Sequence, residues 1–425
     1  MAGDRSEPDG PDLSSPTIRG REFFTAITVG EALASFRPSR RTPAEQVASA
    51  EALGRVPASD VASPGALPGF ARSTVDGYAV RAADTFGASE GLPGYLDVVG
   101  AVRMGKAPDV EVAEGAAVTV PTGGVLPAGA DAVVMVEHTQ TTMPGTIEVV
   151  RPVAFGDGVV RADEDVAAGA VVVPSGRPLR PQDLGLLAAA GITEVTVHAR
   201  PRVAVLSTGD EVVAPDTTEL GPGQVRDATA SALAGLISAA GGIADLRGIV
   251  SDDPGELEEA IRSALAVSDL VIVSAGSSVG ARDETAGVVA GLGPPGIQVH
   301  GLAVKPGKPT LLAECDGVPI VGLPGNPLSA LVVFRLVGVP LVWQLAGCPV
   351  PPAEPTTSAR LGRQVASAAG RLDVVQVRLQ GEVAEPLEGA SALLSLLTRA
   401  DGYVLVPEPE TGLDTGAEVT VTLYR

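Results

Sequence analysis

The stretch RVAVLSTGDEVV, residues 202–213, opens with an apolar run of strand length and ends in a polar loop. Such a run, bounded by turn residues, is typical of a strand buried on both faces. Helical and strand patterns then alternate up to Gly347, and repeated units of this kind predict a mostly parallel sheet flanked by helices. The later strand patterns are LRGIV, DLVIVSAG, IQVHGLAV, PTLLAE and VPIVGLPG. We therefore predict a three-layer α/β domain over residues 202–347.

The flanking regions have a different pattern. Residues 75–173 are short β segments separated by Gly, Pro and Asp turns, which predicts a β-rich module. Residues 349–425 predict a small β-barrel or sandwich. Near the start, ITVGEALASF and TPAEQVASAEALGR carry helical spacing, with Thr28 and Thr42 as candidate N-caps before acidic residues three positions on. The acidic stretch over residues 1–20 is interpreted as a disordered tail.

Composition restricts the function classes. The formal charge of −21 argues against nucleic acid or an anionic membrane as a general partner, because both would be repelled. Cys315 and Cys348 form no paired framework, which suits a reducing cytosol. The apolar run 328–345 is interrupted by Arg335 and Pro340, so we interpret it as a buried helix. These features predict a cytoplasmic protein.

Ligands of open α/β sheets bind beyond the carboxyl ends of the strands. The loop KPGKP there holds Lys305 and Lys308, two of only three lysines in the chain. An ammonium group is a good point charge for phosphate, and the prolines and Gly307 would stiffen the loop. The alternative is a solvated basic turn. We favour phosphate binding because of the position in the fold.

A second loop, SAGSSVG over residues 274–280, lies between a strand and a helix and resembles a phosphate-cradling turn. Its candidate binding residues are Ser274, Gly276, Ser278 and Gly280. The sequence matches neither of the common nucleotide-binding patterns, GxGxxG and the Walker A motif. A plain connecting loop is the alternative.

Acidic residues follow the same strand ends. They could hold Mg²⁺ through a few carboxylates, with a substrate phosphate completing the coordination shell. Each could instead cap a helix, particularly Asp252 and Asp253 before Pro254. The candidates are Asp210, Glu211, Asp252, Asp253 and Asp283, of which Asp252 and Asp283 are the tentative metal ligands.

The β-rich module opens with STVDGYAVRAAD, residues 73–84. Its Asp-Gly pair lies between β-formers, as in a tight hairpin. Asp76 could therefore be a turn residue or a reactive carboxylate, and the stretch alone leaves both open.

Eight segments taken together, in order, resemble one family, the molybdopterin molybdenumtransferases (the MoeA and gephyrin E-domain group). The match extends over nearly the whole chain after the first residues. The segments are ALGRVPASDVASP, LPGFARSTVDGYAVRAAD, VPTGGVLPAGADAVVMVE, GDGVVRADEDVAAGAVV, VAVLSTGDEVV, SVGARDE, LAVKPGKPT and GLPGNPLSALVVF.

The resemblance implies a homodimer whose active site lies between the lid of one protomer and the central domain of the other. It implies insertion of molybdate into adenylylated molybdopterin, with Mg²⁺-dependent cleavage of the phosphoanhydride and release of AMP. Transient contact with the molybdopterin adenylyltransferase and with apo-molybdoenzymes is also implied. The implied parts are an elongated region (21–70 with 170–201), an inserted β-rich lid (71–169), the central α/β domain (202–347) and a C-terminal β-barrel domain (348–425).

Position by position, the resemblance assigns residues to three groups. Those expected to be catalytic are Asp76, Glu211, Asp252 and Asp283. Glu164 and Asp165 belong to the lid. Those expected to bind substrate, besides the loop 274–280 and the two lysines, are Thr122, Pro324, Asn326, Arg371, Ser391 and Ser395.

The chain departs from the family pattern at several positions. It has STVDGYA where SAMDGYA is usual and SAGSSVG where SGGVSVG is usual, which changes Thr74, Val75, Ala275 and Ser277. The second change replaces a glycine where a Cβ could hinder close approach to a ligand. A divergent paralogue, acting as an adenylyltransferase or as a non-catalytic pterin-binding scaffold, is the alternative function.

Overall fold

The computed structural model describes residues 26–274 and 279–424, with the backbone alone for residues 279–283. The stretch 1–20, expected to be a disordered tail, lies outside the described residues. The first helix is Val29–Ser35, and Thr28 caps it as predicted. The Thr28 hydroxyl accepts a hydrogen bond from the Glu31 N–H at 3.1 Å, and the Glu31 carboxylate accepts one from the Thr28 N–H at 2.8 Å. This reciprocal capping satisfies two N–H groups at the start of a helix that packs on the core of the central domain.

The prediction of a second helix, over TPAEQVASAEALGR, is wrong. Residues Ala44–Ala48 form a strand that pairs antiparallel with Glu194–His198, and a short 3-10 turn, Ser49–Glu51, follows. Thr42 caps no helix, since its hydroxyl donates to the Ala199 carbonyl at 2.7 Å. Pairing with a strand 150 residues away outweighs the local helical preference. The rest of this region contains the strand pair Val61–Ala62 and Val171–Val173 and the helix Pro181–Ala189.

The module over residues 75–173 is β-rich as predicted, and its main sheet has six strands. A short additional pair, Arg72–Ser73 with Val159–Val160, runs beside it. Two 3-10 turns, Ala82–Thr85 and Val136–His138, interrupt the chain between strands. In spatial order the sheet strands are Ala132–Met135, Gly77–Val80, Ala116–Val120, Gly94–Ala101, Thr146–Val149 and Thr139–Met143.

The central domain has a six-stranded sheet. Its first four strands run parallel, and the fifth is antiparallel to both neighbours, so the sheet is mixed but mostly parallel. A short parallel pair, Val212–Val213 with Val225–Arg226, lies outside the sheet. In spatial order the strands are Ile243–Val250, Arg202–Thr208, Leu270–Ser274, Val318–Leu323, Leu311–Cys315 and Pro295–His300.

Helices cover both faces of the sheet, giving the predicted three layers. Val203 and Val205 point to one core cluster, whereas Ala204 and Leu206 point to another, as the twofold period of a strand requires. The first cluster includes residues of the helices Thr229–Ala239 and Pro327–Val333, and the second includes those of Pro254–Leu265 and Val279–Ala290.

The apolar run near residue 330 forms one long helix in three parts: Pro327–Val333, a π-helical turn Phe334–Gly338 and Val339–Leu345. By length and composition alone it could cross a membrane, but 67% of its apolar window is buried inside the protein. Its packing in the core accounts for its composition.

The C-terminal region is a closed barrel, which decides between the two predicted forms. Val304–Lys305 of the central region adds to the barrel strand Leu372–Gln380 in parallel. The barrel also carries the pair Val365–Ala366 with Gly412–Leu413 and the helix Ser395–Arg399. In order around the barrel the strands are Leu372–Gln380, Val383–Pro386, Thr356–Leu361, Glu418–Leu423 and Gly402–Val406, which pairs again with the first.

Candidate active site

The loop with the two lysines lies where the central domain meets the barrel. The Lys308 carbonyl accepts hydrogen bonds from the Leu302 and Thr310 N–H groups, both at 2.9 Å. Gly307 has φ +129°, and a Cβ there would lie less than 3.0 Å from the buried Val333 side chain. Only glycine fits this position, so the observed conformation of the loop depends on Gly307.

A cavity of about 930 Å³ opens beside this loop. It falls in the size range of small-molecule sites. The central domain and the barrel both contribute to its wall. The predicted residues that line it are Lys305, Lys308, Pro324, Asn326, Arg371 and Ser391. Tertiary structure thus brings together six predicted binding residues from four separate segments.

Asn326 and Ser391 hold the two domains together at the cavity wall. The Asn326 side-chain amide donates to the Ser391 hydroxyl at 3.0 Å, and the Leu328 N–H donates to the Ser391 carbonyl at 3.3 Å. Asn326 immediately precedes the long helix. This contact therefore places the positive end of a helix dipole at the cavity.

Asp373 belongs to the same wall and was not predicted. Its buried carboxylate accepts a hydrogen bond from the Arg371 guanidinium at 2.8 Å and lies 3.7 Å from the Lys305 ammonium. The residues GRLD carry the only signal in the sequence, an acid two positions from an arginine at a strand start. The partner lysine is 68 positions away, so its contact could not be predicted.

The predicted acidic residues separate into a helix cap and a cluster. Asp253 caps the helix Pro254–Leu265, accepting from the Gly255 and Glu256 N–H groups. The Asp252 N–H instead donates to the Asp210 carboxylate at 3.3 Å. Burial, together with the negative charges of Asp210 and Glu211, raises the pKa of the Asp252 carboxyl. A bound cation would relieve this repulsion.

Among the side chains the structure describes, no group of three His, Cys, Asp or Glu is arranged as a metal site. Mg²⁺ commonly takes only one or two carboxylates and completes its shell with water and substrate phosphate. Asp210 and Asp252 fit that requirement. The side chain of Asp283, the other tentative ligand, lies outside the described residues.

Asp76 is both a turn residue and an exposed carboxylate. It immediately precedes the strand Gly77–Val80, and Thr122 follows the neighbouring strand Ala116–Val120. The Thr122 N–H and hydroxyl both donate to one Asp76 oxygen, at 2.7 and 3.0 Å. These bonds lower the pKa of the Asp76 carboxyl and leave its second oxygen for a ligand.

Glu164 and Asp165 lie on an exposed loop of the same domain. The Glu164 carboxylate accepts from the Arg161 N–H at 2.9 Å, which lowers its pKa. The Asp165 N–H donates to the Leu67 carbonyl at 3.1 Å, which joins the loop to the segment that precedes this domain.

The other predicted residues lie apart from the cavity wall or outside the description. Ser274 is buried at the end of its strand, and Ser395 starts the short helix of the barrel domain. Neither is among the described residues that line the cavity. For Gly280 the backbone alone is described, as part of the helix Val279–Ala290. The loop positions outside the described residues are Ala275, Gly276, Ser277 and Ser278.

The fold and the cavity define a class of protein. The three-layer α/β domain and the β-barrel together form a small-molecule cavity, which is lined by two lysines and an arginine. Such a wall suits a phosphate or another oxyanion.

Comparison with known proteins identifies the family within this class. Family models match residues 27–191 as the MoeA N-terminal region (domain I and II), 204–344 as a probable molybdopterin binding domain and 358–424 as the MoeA C-terminal region (domain IV). Molybdopterin molybdenumtransferase 2 of Mycobacterium tuberculosis is 34% identical, over 84% of this chain and 89% of that protein. The Haemophilus influenzae molybdopterin molybdenumtransferase is also 34% identical, over 84% and 88%.

A solved structure agrees. The molybdopterin biosynthesis MoeA protein of Pyrococcus horikoshii OT3 matches with a TM-score of 0.81 at 31% identity, over 94% of this chain and 100% of that one. The chain therefore belongs to the MoeA family of molybdopterin molybdenumtransferases, the transferase enzymes of molybdenum cofactor biosynthesis.

Proposed function

We propose that this protein inserts molybdate into adenylylated molybdopterin, with Mg²⁺-dependent cleavage of the phosphoanhydride and release of AMP. The observation that carries the proposal is the cationic cavity wall of Lys305, Lys308 and Arg371. Molybdate is a tetrahedral dianion, and charge-assisted hydrogen bonds from these side chains suit its oxygens. The Ser391 hydroxyl adds a neutral donor.

The acidic cluster is the proposed Mg²⁺ site. Asp252 and Asp210 would hold the ion together with a substrate phosphate. Bound there, Mg²⁺ would stabilise the charge that develops as the phosphoanhydride breaks. The low pKa of Asp76 supports a carboxylate that stays ionised near neutral pH and orients a water or the metal shell.

We also propose that the protein is a cytoplasmic homodimer, in which Asp76 of the lid meets the cavity of the partner subunit. Mixing Asp76→Asn subunits with Lys308→Ala subunits tests this arrangement. A mixed dimer keeps one site free of both changes, so part of the activity should return. If mixing restores none although exchange has occurred, both residues act in one protomer.

The reaction is tested with purified protein, adenylylated molybdopterin, Mg²⁺ and molybdate, following AMP release and activation of an apo-molybdoenzyme. Lys308→Ala should reduce the rate about ten- to a hundredfold, as expected for a lost charge-assisted hydrogen bond. Lys106→Ala removes the third lysine, which is exposed in the lid, and should have no effect. No AMP release by folded wild-type dimer would refute the proposal, and ligand binding without turnover would favour the scaffold function.

A further inference from the structure

One carboxylate in the cavity wall, that of Asp373, has no part in the reaction proposed above. Asp373 is 3% exposed. Its Oδ1 accepts from the Arg371 Nε at 2.8 Å, and its Oδ2 lies 3.4 Å from the Arg371 Nη2 and 3.7 Å from the Lys305 Nζ. Burying a carboxylate is costly unless it is paired. Here both oxygens face cations that themselves line the cavity.

The cations remain available to a ligand. The Lys305 side chain is 58% exposed and that of Arg371 is 37% exposed, whereas that of Asp373 is 5% exposed. Two of the five guanidinium N–H groups are directed at Asp373, so the others can face the cavity. The Asp373 carboxylate is thus more buried than the two cations that it contacts.

The backbone explains why one carboxylate can reach both cations. Lys305 pairs with Asp373 in the parallel ladder between the central region and the barrel, and the Leu372 N–H donates to the Ala303 carbonyl at 2.8 Å. Asp373 therefore couples a lysine of one domain to an arginine of the other. Asp373 is the only described carboxylate in an ion pair with both cations, so without it their separation would depend on the backbone ladder alone.

The carboxylate also sets the charge of the site. Lys305, Lys308 and Arg371 contribute three positive charges and Asp373 one negative charge, which leaves two positive charges. Among the described residues, the other acid that lines the cavity is Glu388, which shares Arg363 with Glu385 and whose side chain is 80% exposed, so that water screens its charge. The two positive charges left by Lys305, Lys308, Arg371 and Asp373 match a dianion.

We propose that Asp373 is a positioning residue of the oxyanion site, which holds Lys305 and Arg371 in the one arrangement that fits a tetrahedral dianion. The inference rests on the proposed function of the cavity. A carboxylate that served only to join the two domains would affect stability and leave oxyanion binding unchanged.

The test compares Asp373→Asn and Asp373→Glu with wild type. Asn keeps the shape and loses the charge, so the dissociation constant for molybdate alone, measured by calorimetry, should rise at least tenfold, and the KM for molybdate should rise with it. The kcat at saturating molybdate should change far less. Glu keeps the charge and should recover part of the affinity.

Glu354→Gln is the matched control. Glu354 also joins the two domains, pairing with Arg335 and accepting from the Tyr403 hydroxyl, but does not line the cavity. It should lower the melting temperature without changing molybdate binding. If Asp373→Asn behaves like this control, or binds molybdate more tightly, the proposal is wrong. Calorimetry needs no turnover, so it tests Asp373 even if wild type releases no AMP.

Discussion

Gly307→Ala should distort the loop that carries both lysines. The new Cβ would lie less than 3.0 Å from Val333, whereas carbon atoms in contact lie about 3.5–4.0 Å apart. Val333 is fully buried in the long helix and cannot retreat. The φ of +129° adds about 1–3 kcal/mol for a residue with a side chain, and the overlap adds about 1–3 kcal/mol.

We therefore expect the free energy of unfolding, measured with urea, to fall by about 2–6 kcal/mol, less any part that loop movement relieves. Movement of the lysines by about 1 Å should lower the rate of AMP release about a hundredfold. Gly105→Ala is the control, because Gly105 has φ +74° and no described atom lies within 4 Å of the place its Cβ would take. It should cost about 1–2 kcal/mol and leave the rate unchanged. Equal effects of the two variants on stability and rate would refute the reasoning.

Three further predictions concern other parts of the chain. Two arginines hold the pKa of the Asp183 carboxyl well below its usual range, so the stability it contributes is present at neutral pH and is lost as pH falls below about 4. Asp183→Asn should cost about 1–3 kcal/mol at pH 7, and urea unfolding should show this difference shrinking at pH 3. Thr122→Val removes a hydroxyl donor and should raise the pKa of Asp76 in an NMR titration. Gly77→Ala places a Cβ less than 3.0 Å from the Val134 carbonyl oxygen and should speed amide exchange across the lid sheet.

Each of these has an outcome that contradicts it. A stability difference that stays constant between pH 7 and pH 3 would mean that ionisation of Asp183 is not its cause. An unchanged titration of Asp76 would mean that the Thr122 hydroxyl contributes nothing to its pKa. Unchanged exchange in Gly77→Ala would mean that the strands can separate to admit a methyl group.

Local patterns predicted some parts of this protein well. The alternation after residue 202 predicted the three-layer domain, since buried parallel strands and the helices between them have characteristic periods. The capping pattern at Thr28 predicted its helix start, because all the groups involved lie within four residues. The order of motifs predicted the family.

The same reasoning failed at residues 44–48, where helical spacing gives way to pairing with residues 194–198. It also left Asp76 undecided, because its partner Thr122 is 46 positions away. A sequence pattern shows which groups are neighbours along the chain and cannot show which strand ends meet in space.

The sequence by itself predicted the alternating strands and helices of the central domain, the family and the residue types proposed to face an oxyanion. Only the tertiary structure decided that the last domain closes as a barrel and that six predicted residues share one cavity. It also decided that Asp373 contacts both Lys305 and Arg371. The physical reason is that helix caps and strand periods depend on neighbours in sequence, whereas a binding site depends on strand register between distant segments. In this protein the register of Lys305 opposite Asp373 brings these two residues of the cavity wall together.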